Sequence, residues 1–225
     1  MLEVSSNDTT VHISGVKNLK DTNGFDSRIV KVLFVSGCSI EDFSFLSDMP
    51  HLEKLVFDGC KSEVWQTIPG NENVRILRLH TMREKSGYLE NADFIAKFPG
   101  VEYLYLNNFD VERFPDVSRL PLLHTVMCSG RKLIDYSALE HAVNLKNYVG
   151  WMATDNHRTP AESFIPILKN PSLQAFQYTQ MSNVESKKLD EYVRVNRPDI
   201  TYPIDKIENG VLDNTKTRSM ANLFF

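Results

Sequence analysis

The sequence predicts an α/β solenoid, a curved stack of similar coils with a parallel sheet along its inner side. Three observations carry that expectation. Stretch 101–121, VEYLYLNNFDVERFPDVSRLP, places apolar residues at Val101, Leu104, Leu106, Phe109, Val111, Phe114, Val117 and Leu120. That order suits neither one long strand nor one helix, but it suits a coil made of an inner strand and an outer return. The first position of the stretch recurs at Asp8, Val30, Leu52, Val74, Val101, Leu123, Leu145 and Leu173, in steps of 22, 22, 22, 27, 22, 22 and 28 residues. Finally, 225 residues that are 42% hydrophobic and 24% charged suffice for a single domain with a large core.

Taken in order, the chain opens with residues 1–7, polar and expected to be disordered or to cap the stack. The repeats follow over residues 8–181. Their first four pattern positions read Asp8, Val11, Ile13, Val16; Val30, Leu33, Val35, Cys38; Leu52, Leu55, Phe57, Cys60; and Val74, Leu77, Leu79, Met82. They continue Val101, Leu104, Leu106, Phe109; Leu123, Val126, Cys128, Arg131; Leu145, Tyr148, Gly150, Ala153; and Leu173, Phe176, Tyr178, Met181. Asp8, Arg131 and Gly150 break the apolar rule. With this spacing the chain resembles the leucine-rich repeat family, in the 22-residue form of its SDS22-like and internalin-like members. The resemblance implies a horseshoe of about eight repeats with a parallel inner sheet. It also implies that Cys38 and Cys60, which match the family's Asn or Cys position, bond the backbone turn there.

The second half of each repeat carries anchors such as Phe43, Leu46, Met49 and Pro50, or Phe114, Val117, Leu120 and Pro121. With 22 residues per coil there is little room for a full helix, so short 3₁₀ or irregular returns are expected. The two longer repeats are exceptions. Asn91, Ala92, Asp93 and Phe94 begin one predicted helix, about 92–98. Thr159, Pro160, Ala161 and Glu162 form a capping box with Pro at the first helical position, predicting another at about 160–169.

A solenoid must close its ends. Residues 182–204 supply the C-terminal cap: Ser182 and Glu185 form a capping box, Leu189, Tyr192 and Val193 share a helical face, and Pro198 ends the helix. Ile200, Tyr202 and Ile204 then alternate as an edge strand does. Residues 205–225 turn polar and finish with Met220, Ala221, Asn222, Leu223, Phe224 and Phe225, a tail that is either flexible or docked through its last apolar residues.

Several classes of function are disfavoured. The formal charge of −4 comes without blocks of like charge, which points away from nucleic acid and from membrane surfaces. The start, MLEVSSNDTT, has neither the basic segment nor the apolar run of a secretory signal, and no stretch reaches membrane-spanning length, so a cytosolic protein is expected. Cys38, Cys60 and Cys128 all fall at core positions and are expected to be reduced and to fill volume. There is no GxSxG, HExxH, CxxC, Walker loop or GxGxxG, and the six histidines lack ligand spacing. No catalytic residue, cofactor or metal site is therefore assigned.

Strand alternation directs the function to the concave face. If positions four and six point inward, positions three, five and seven line the concavity. Position five runs His12, Phe34, Val56, Arg78, Tyr105, Met127, Val149, Gln177. Position three adds Ile76, Tyr103 and Asn147, and position seven adds Asp58, His80, Asn107 and Trp151. The candidate partner-binding residues are Phe34, Val56, Ile76, Arg78, His80, Tyr103, Tyr105, Met127, Val149 and Trp151, because large aromatic, Met and Arg side chains are the types enriched at interfaces. Lys31, Lys54, Arg75, Arg78 and Lys146 outnumber Glu53, Asp58 and Glu102, so the expected ligand is another protein with an acidic surface. Insertions 83–91 and 154–159 are expected to wall the site.

The expectation is a non-enzymatic binding module, monomeric when unbound. Two narrower readings compete: a bacterial immunity protein covering a toxin's active site, and a regulatory subunit of an enzyme. A hydrolase using His80 as base, with Asp58 one repeat away, is the rival from another class.

Overall fold

A computed structural model describes residues 2–4, 9–17, 25–80, 91–108, 111–129, 135–151, 159–179, 182–200, 206–208 and 211–213. Each predicted inner segment is a strand. The order is β1 (Leu2–Val4), β2 (Thr10–Ser14), β3 (Val32–Ser36), β4 (Lys54–Asp58), β5 (Ile76–His80), β6 (Tyr103–Asn107), β7 (Thr125–Cys128), β8 (Asn147–Trp151) and β9 (Ala175–Thr179). They form one sheet in sequence order, with β2 to β9 all parallel. Strand β1 pairs antiparallel with β2, Leu2 opposite Ile13. Three of the residues expected to lack order thus continue the sheet by one strand.

The register repeats without slippage. Leu33, Leu55, Leu77, Leu104, Val126, Tyr148 and Phe176 make one row across the sheet, and Val35, Phe57, Leu79, Leu106 and Cys128 lie in a second. All of these are buried. Because side chains alternate along a strand, a one-residue slip would turn an entire apolar row to solvent, which is why the register is so strongly specified. Gly150 occupies this second row for a spatial reason: a Cβ there would come within 2.3 Å of the Tyr178 ring. An aromatic side chain from the next strand takes the volume that the glycine leaves.

Outer returns are short, as 22-residue coils require. They are 3₁₀ turns at Ser27–Ile29, Ser44–Asp48, Trp65–Thr67, Asp93–Lys97, Ser137–His141 and Ala161–Phe164, the last running into α1 (Ile165–Lys169). The helix predicted at 92–98 is therefore a 3₁₀ turn of five residues. A rise of about 2.0 Å per residue carries it along the return faster than an α-helix would, while Phe94, Ile95 and Phe98 still reach the core. An Asp or Asn opens five of the described returns in the same way, a feature that the repeat spacing does not reveal. The side chains of Asp26, Asp42, Asn91, Asp116 and Asp135 each accept a hydrogen bond from the backbone N–H two residues on, at 3.1, 2.8, 3.1, 2.9 and 2.9 Å.

Neighbouring coils are also stapled from the outside. Asn73 and Asn144 each donate to a backbone carbonyl of the preceding coil, Pro50 and Pro121, and Asn170 donates to Leu139 and Ala142. Cys38 and Cys60 behave as the family resemblance implies, their thiols donating to the carbonyls of Ile13 and Val35 one coil back. All three cysteines are free and buried.

The stack closes on α2 (Asn183–Asn196), whose Leu189 and Val193 are buried. Half of the predicted capping box forms, since Ser182 Oγ accepts from the Glu185 N–H at 3.3 Å. The Glu185 carboxylate, however, reaches across to accept from the Ala161 N–H at 2.8 Å. The box predicted at Thr159 and Glu162 is absent: Pro160 is the N-cap and makes no side-chain cap bond, and the first N–H of that turn is capped by Glu185 instead. Beyond α2, Arg197 donates to the carbonyls of Leu168, Asn170 and Leu173, fastening the cap to the last repeats. Residues Tyr202 and Ile204 lie outside the described residues, and the segment expected to be a tail contains a hairpin of β10 (Lys206–Glu208) and β11 (Val211–Asp213). Among the described residues no helix is long and apolar enough to cross a membrane.

Candidate functional site

Alternation and register together place the predicted residues on one face. His12, Phe34, Val56, Arg78, Tyr105, Met127, Val149 and Gln177 form a continuous concave row. Lys54, Ile76, Tyr103, Thr125 and Asn147 form a second. Of Trp151 only the backbone position is described, opposite Thr179 at the end of β8. Insertions 83–91 and 154–159 fall outside the described residues except for Asn91 and Thr159.

Exposure along the row is unequal, and this corrects the expected binding centre. Val56, Tyr105, Met127 and Val149 are buried, none more than 3% exposed. Tyr105, Met127 and Val149 make an apolar cluster separate from the main core, with Ile76 and Tyr103 packed against it. Strands lie only about 4.8 Å apart, so large side chains on successive rungs stand shoulder to shoulder and remove one another from water. These residues stabilise the concave side; they are not open anchors.

The accessible part of the face lies toward the N-terminus. His12, Phe34, Lys54, Ile76, Arg78, His80 and Tyr103 are all half-buried. The His12 and Phe34 rings stack at 4.5 Å with 8° between their planes. Lys54 Nζ lies 5.3 Å from the centre of the Phe34 ring, and the Arg78 guanidinium lies 4.9 Å from that of Tyr105. Each cation therefore sits over the ring of an adjacent strand. Burial, and secondarily the Arg78 charge, hold the Lys54 ammonium below the usual lysine range. Burial also pushes the Tyr105 hydroxyl up, partly offset by Arg78.

A polar row runs beside these side chains. Asp58 Oδ1 lies 2.7 Å from His80 Nδ1. Asn107 donates to the Tyr105 hydroxyl at 3.1 Å and accepts from Ser129 Oγ at 2.7 Å. Both pairs join equivalent positions of consecutive repeats, 22 residues apart, so the repeat period was the signal for each. Only Asp58 with His80 was anticipated. Chemically, that pair fixes the imidazole by one nitrogen and leaves the other to serve as a single donor or acceptor.

Other charges on the face are paired at its lower edge. Lys31 and Glu53 meet at 3.2 Å and Arg75 and Glu102 at 3.9 Å, all substantially exposed. Arg75 also donates to the Gly100 carbonyl at 3.1 Å. Exposed pairs of this kind contribute about 0–1 kcal/mol each. Among the described residues, no three His, Cys, Asp or Glu side chains cluster as a metal site would require.

No family model matches the chain, and no curated protein matches it. Among solved structures, an internalin (inlF) of Listeria monocytogenes is similar over 86% of this chain and 59% of its own, at 16% identity and a TM-score of 0.46. The chain thus spans 59% of that internalin's length. Eight parallel strands in unbroken register, joined by short outer returns and closed by a C-terminal helix, make this fold a leucine-rich-repeat solenoid.

Proposed function

We propose that the chain is a non-enzymatic module that binds another protein with the N-terminal half of its concave face, from β2 to β6. One observation carries this reading: His12, Phe34, Lys54, Ile76, Arg78 and Tyr103 stay partly open to solvent on neighbouring strands, whereas Tyr105, Met127 and Val149 are packed away. Aromatic and Arg side chains are the common energetic anchors of interfaces. The module acts in the cytosol and is monomeric until it meets its partner. An immunity protein that covers a toxin and a regulatory subunit that docks on an enzyme would both use such a face. Identifying the captured partner separates the two.

A second reading is a hydrolase, favoured by the 2.7 Å contact of Asp58 with His80. It ranks below the first because, among the described residues, no hydroxyl or thiol stands beside the pair within hydrogen-bond reach of His80.

Capture of the partner from the native host, followed by titration of the purified partner, tests the proposal. Phe34→Ala and Tyr103→Ala are expected to weaken binding at least about tenfold each, as anchor residues do. Val143→Ala, on an exposed outer turn, is expected to leave it unchanged. Wild-type affinity in both concave variants overturns the assignment of the face.

A further inference from the structure

Cys38 and Cys60 hold equivalent positions of neighbouring coils, 22 residues apart. The coils are still paired there: the Lys61 N–H donates to the Cys38 carbonyl and the Ile40 N–H to the Lys61 carbonyl, both at 2.8 Å, and Ser39 bridges Lys61 in parallel. Paired strands run about 4.8 Å apart, which sets the two cysteine Cα atoms within the roughly 4.4–6.8 Å that a disulfide spans. Their sulfurs converge on one strand end. Cys38 Sγ lies 3.3 Å from the Ser36 carbonyl oxygen and Cys60 Sγ 3.2 Å from that of Val35, and the two side chains are hydrogen-bonded to each other. That bond holds the Cys38 thiol below its ordinary value of 9.0 and, together with burial, raises that of Cys60. Gly37 and Gly59, directly before the cysteines, take φ of 59° and 61°, and a Cβ at either would meet nothing within 4 Å. Both turns are thus built from the residue that yields most readily, and their outer side is open. Cys128 is the contrast: in β7 it stands between Leu106 and Gly150, with no cysteine opposite it on either strand.

We propose that Cys38 and Cys60 are a redox pair that closes an inter-coil disulfide when the folded protein meets a peroxide. The Cys38 sulfur attacks one oxygen of hydrogen peroxide, the O–O bond breaks, and the departing hydroxide takes up the Cys38 proton as water. The Cys60 sulfur then attacks the sulfenic acid so formed. An S–S bond forms, the S–O bond breaks, and the hydroxyl leaves with the Cys60 proton as a second water. Two thiols lose two electrons and the peroxide gains them. Both side chains are only 1% exposed, so the oxidant must be as small as a peroxide and must enter through the glycine turns. With the second thiol already in contact, the sulfenic acid is resolved before it can be oxidised further. The disulfide ties the coil that carries Phe34 to the coil that carries Lys54, and a thiol reductant opens it again, as in the cysteine pairs that sense oxidation in reducing compartments.

The test treats the reduced full chain with hydrogen peroxide in native buffer, blocks the remaining thiols with iodoacetamide in denaturant, and maps peptides by mass spectrometry without reduction. Circular dichroism follows the fold throughout. The expected product is a pair of peptides joined through Cys38 and Cys60, lighter by two hydrogens and separated by dithiothreitol, while Cys128 is recovered alkylated. Cys128→Ala is expected to give the same product. In Cys60→Ala the joined peptide is absent, and dimedone, which captures sulfenic acid, is expected to label Cys38 at least about tenfold more than in the unsubstituted chain. Should Cys60→Ala fail to fold, the map of the unsubstituted chain decides alone. Recovery of all three thiols under peroxide that fully oxidises free dithiothreitol overturns the proposal. So does over-oxidation of Cys38 without the joined peptide, a disulfide that includes Cys128, or one that appears only at urea concentrations that unfold the chain.

Discussion

The guanidinium of Arg78 lies 4.9 Å from the centre of the Tyr105 ring on the neighbouring strand, and beneath it the tyrosine is only 3% exposed. Tyr105 is thus part of what holds the concave side together. Tyr105→Ala is expected to destabilise the fold by about 3 kcal/mol, in the same range as Leu104→Ala in the main core. Sequence alternation alone places Tyr105 on the concave face as an open anchor, whose loss would leave stability nearly unchanged. Denaturant midpoints of the two variants decide between these: a wild-type midpoint for Tyr105→Ala would restore the open-anchor reading.

Gly150 faces the Tyr178 ring at a distance that leaves no room for a methyl group, 2.3 Å from an ideal Cβ. Gly150→Ala is expected to cost about 1–3 kcal/mol through overpacking, although alanine favours ordered backbone elsewhere. Pairing it with Tyr178→Leu should recover part of the loss, because both changes act on one volume. Additive losses in thermal melts would show that the two positions are uncoupled.

Glu185 joins the cap to the last repeats by accepting the Ala161 N–H, and Lys188 lies 2.9 Å from its other oxygen. Removing the carboxylate leaves a backbone donor without its partner, which costs about 1–3 kcal/mol. Glu185→Ala is therefore expected to loosen α2 before the rest of the stack. Amide exchange reports this directly, with protection lost first at Leu189 and Val193 and retained at Leu77 and Leu104. Uniform loss across the chain would mean that the cap and the repeats unfold as one unit.

Burial raises the hydroxyls of Tyr136 and Tyr148 well above their ordinary value of 10.0, and that of Tyr178 to about 12. Each binds its proton more tightly folded than unfolded. The resulting stability is fully present below the unfolded value of about 10 and is lost as pH rises toward 12. Tyrosinate absorbance should show a subset of the eight tyrosines ionising only together with unfolding. A single smooth transition near 10, with circular dichroism unchanged, would contradict their burial.

The steps of 22 residues, the inward rows through Leu104 and Leu106, the buried cysteines and the Ser182 cap were all legible in the sequence, because each depends on strand alternation or on a bond made within a few residues. Tertiary structure alone decided the rest. Whether Tyr105, Met127 and Val149 face water depends on what stands on the adjoining rungs, and alternation is blind to that. Glu185 matched the local capping pattern yet gave its carboxylate to Ala161, 24 residues earlier, because the fold brings an unpaired N–H there. Gly150 looked like a fault in the repeat until the Tyr178 ring was found in its place. The half-buried stretch at Phe34, Lys54 and Ile76 likewise depends on what stands on the adjoining strands, which no single repeat contains.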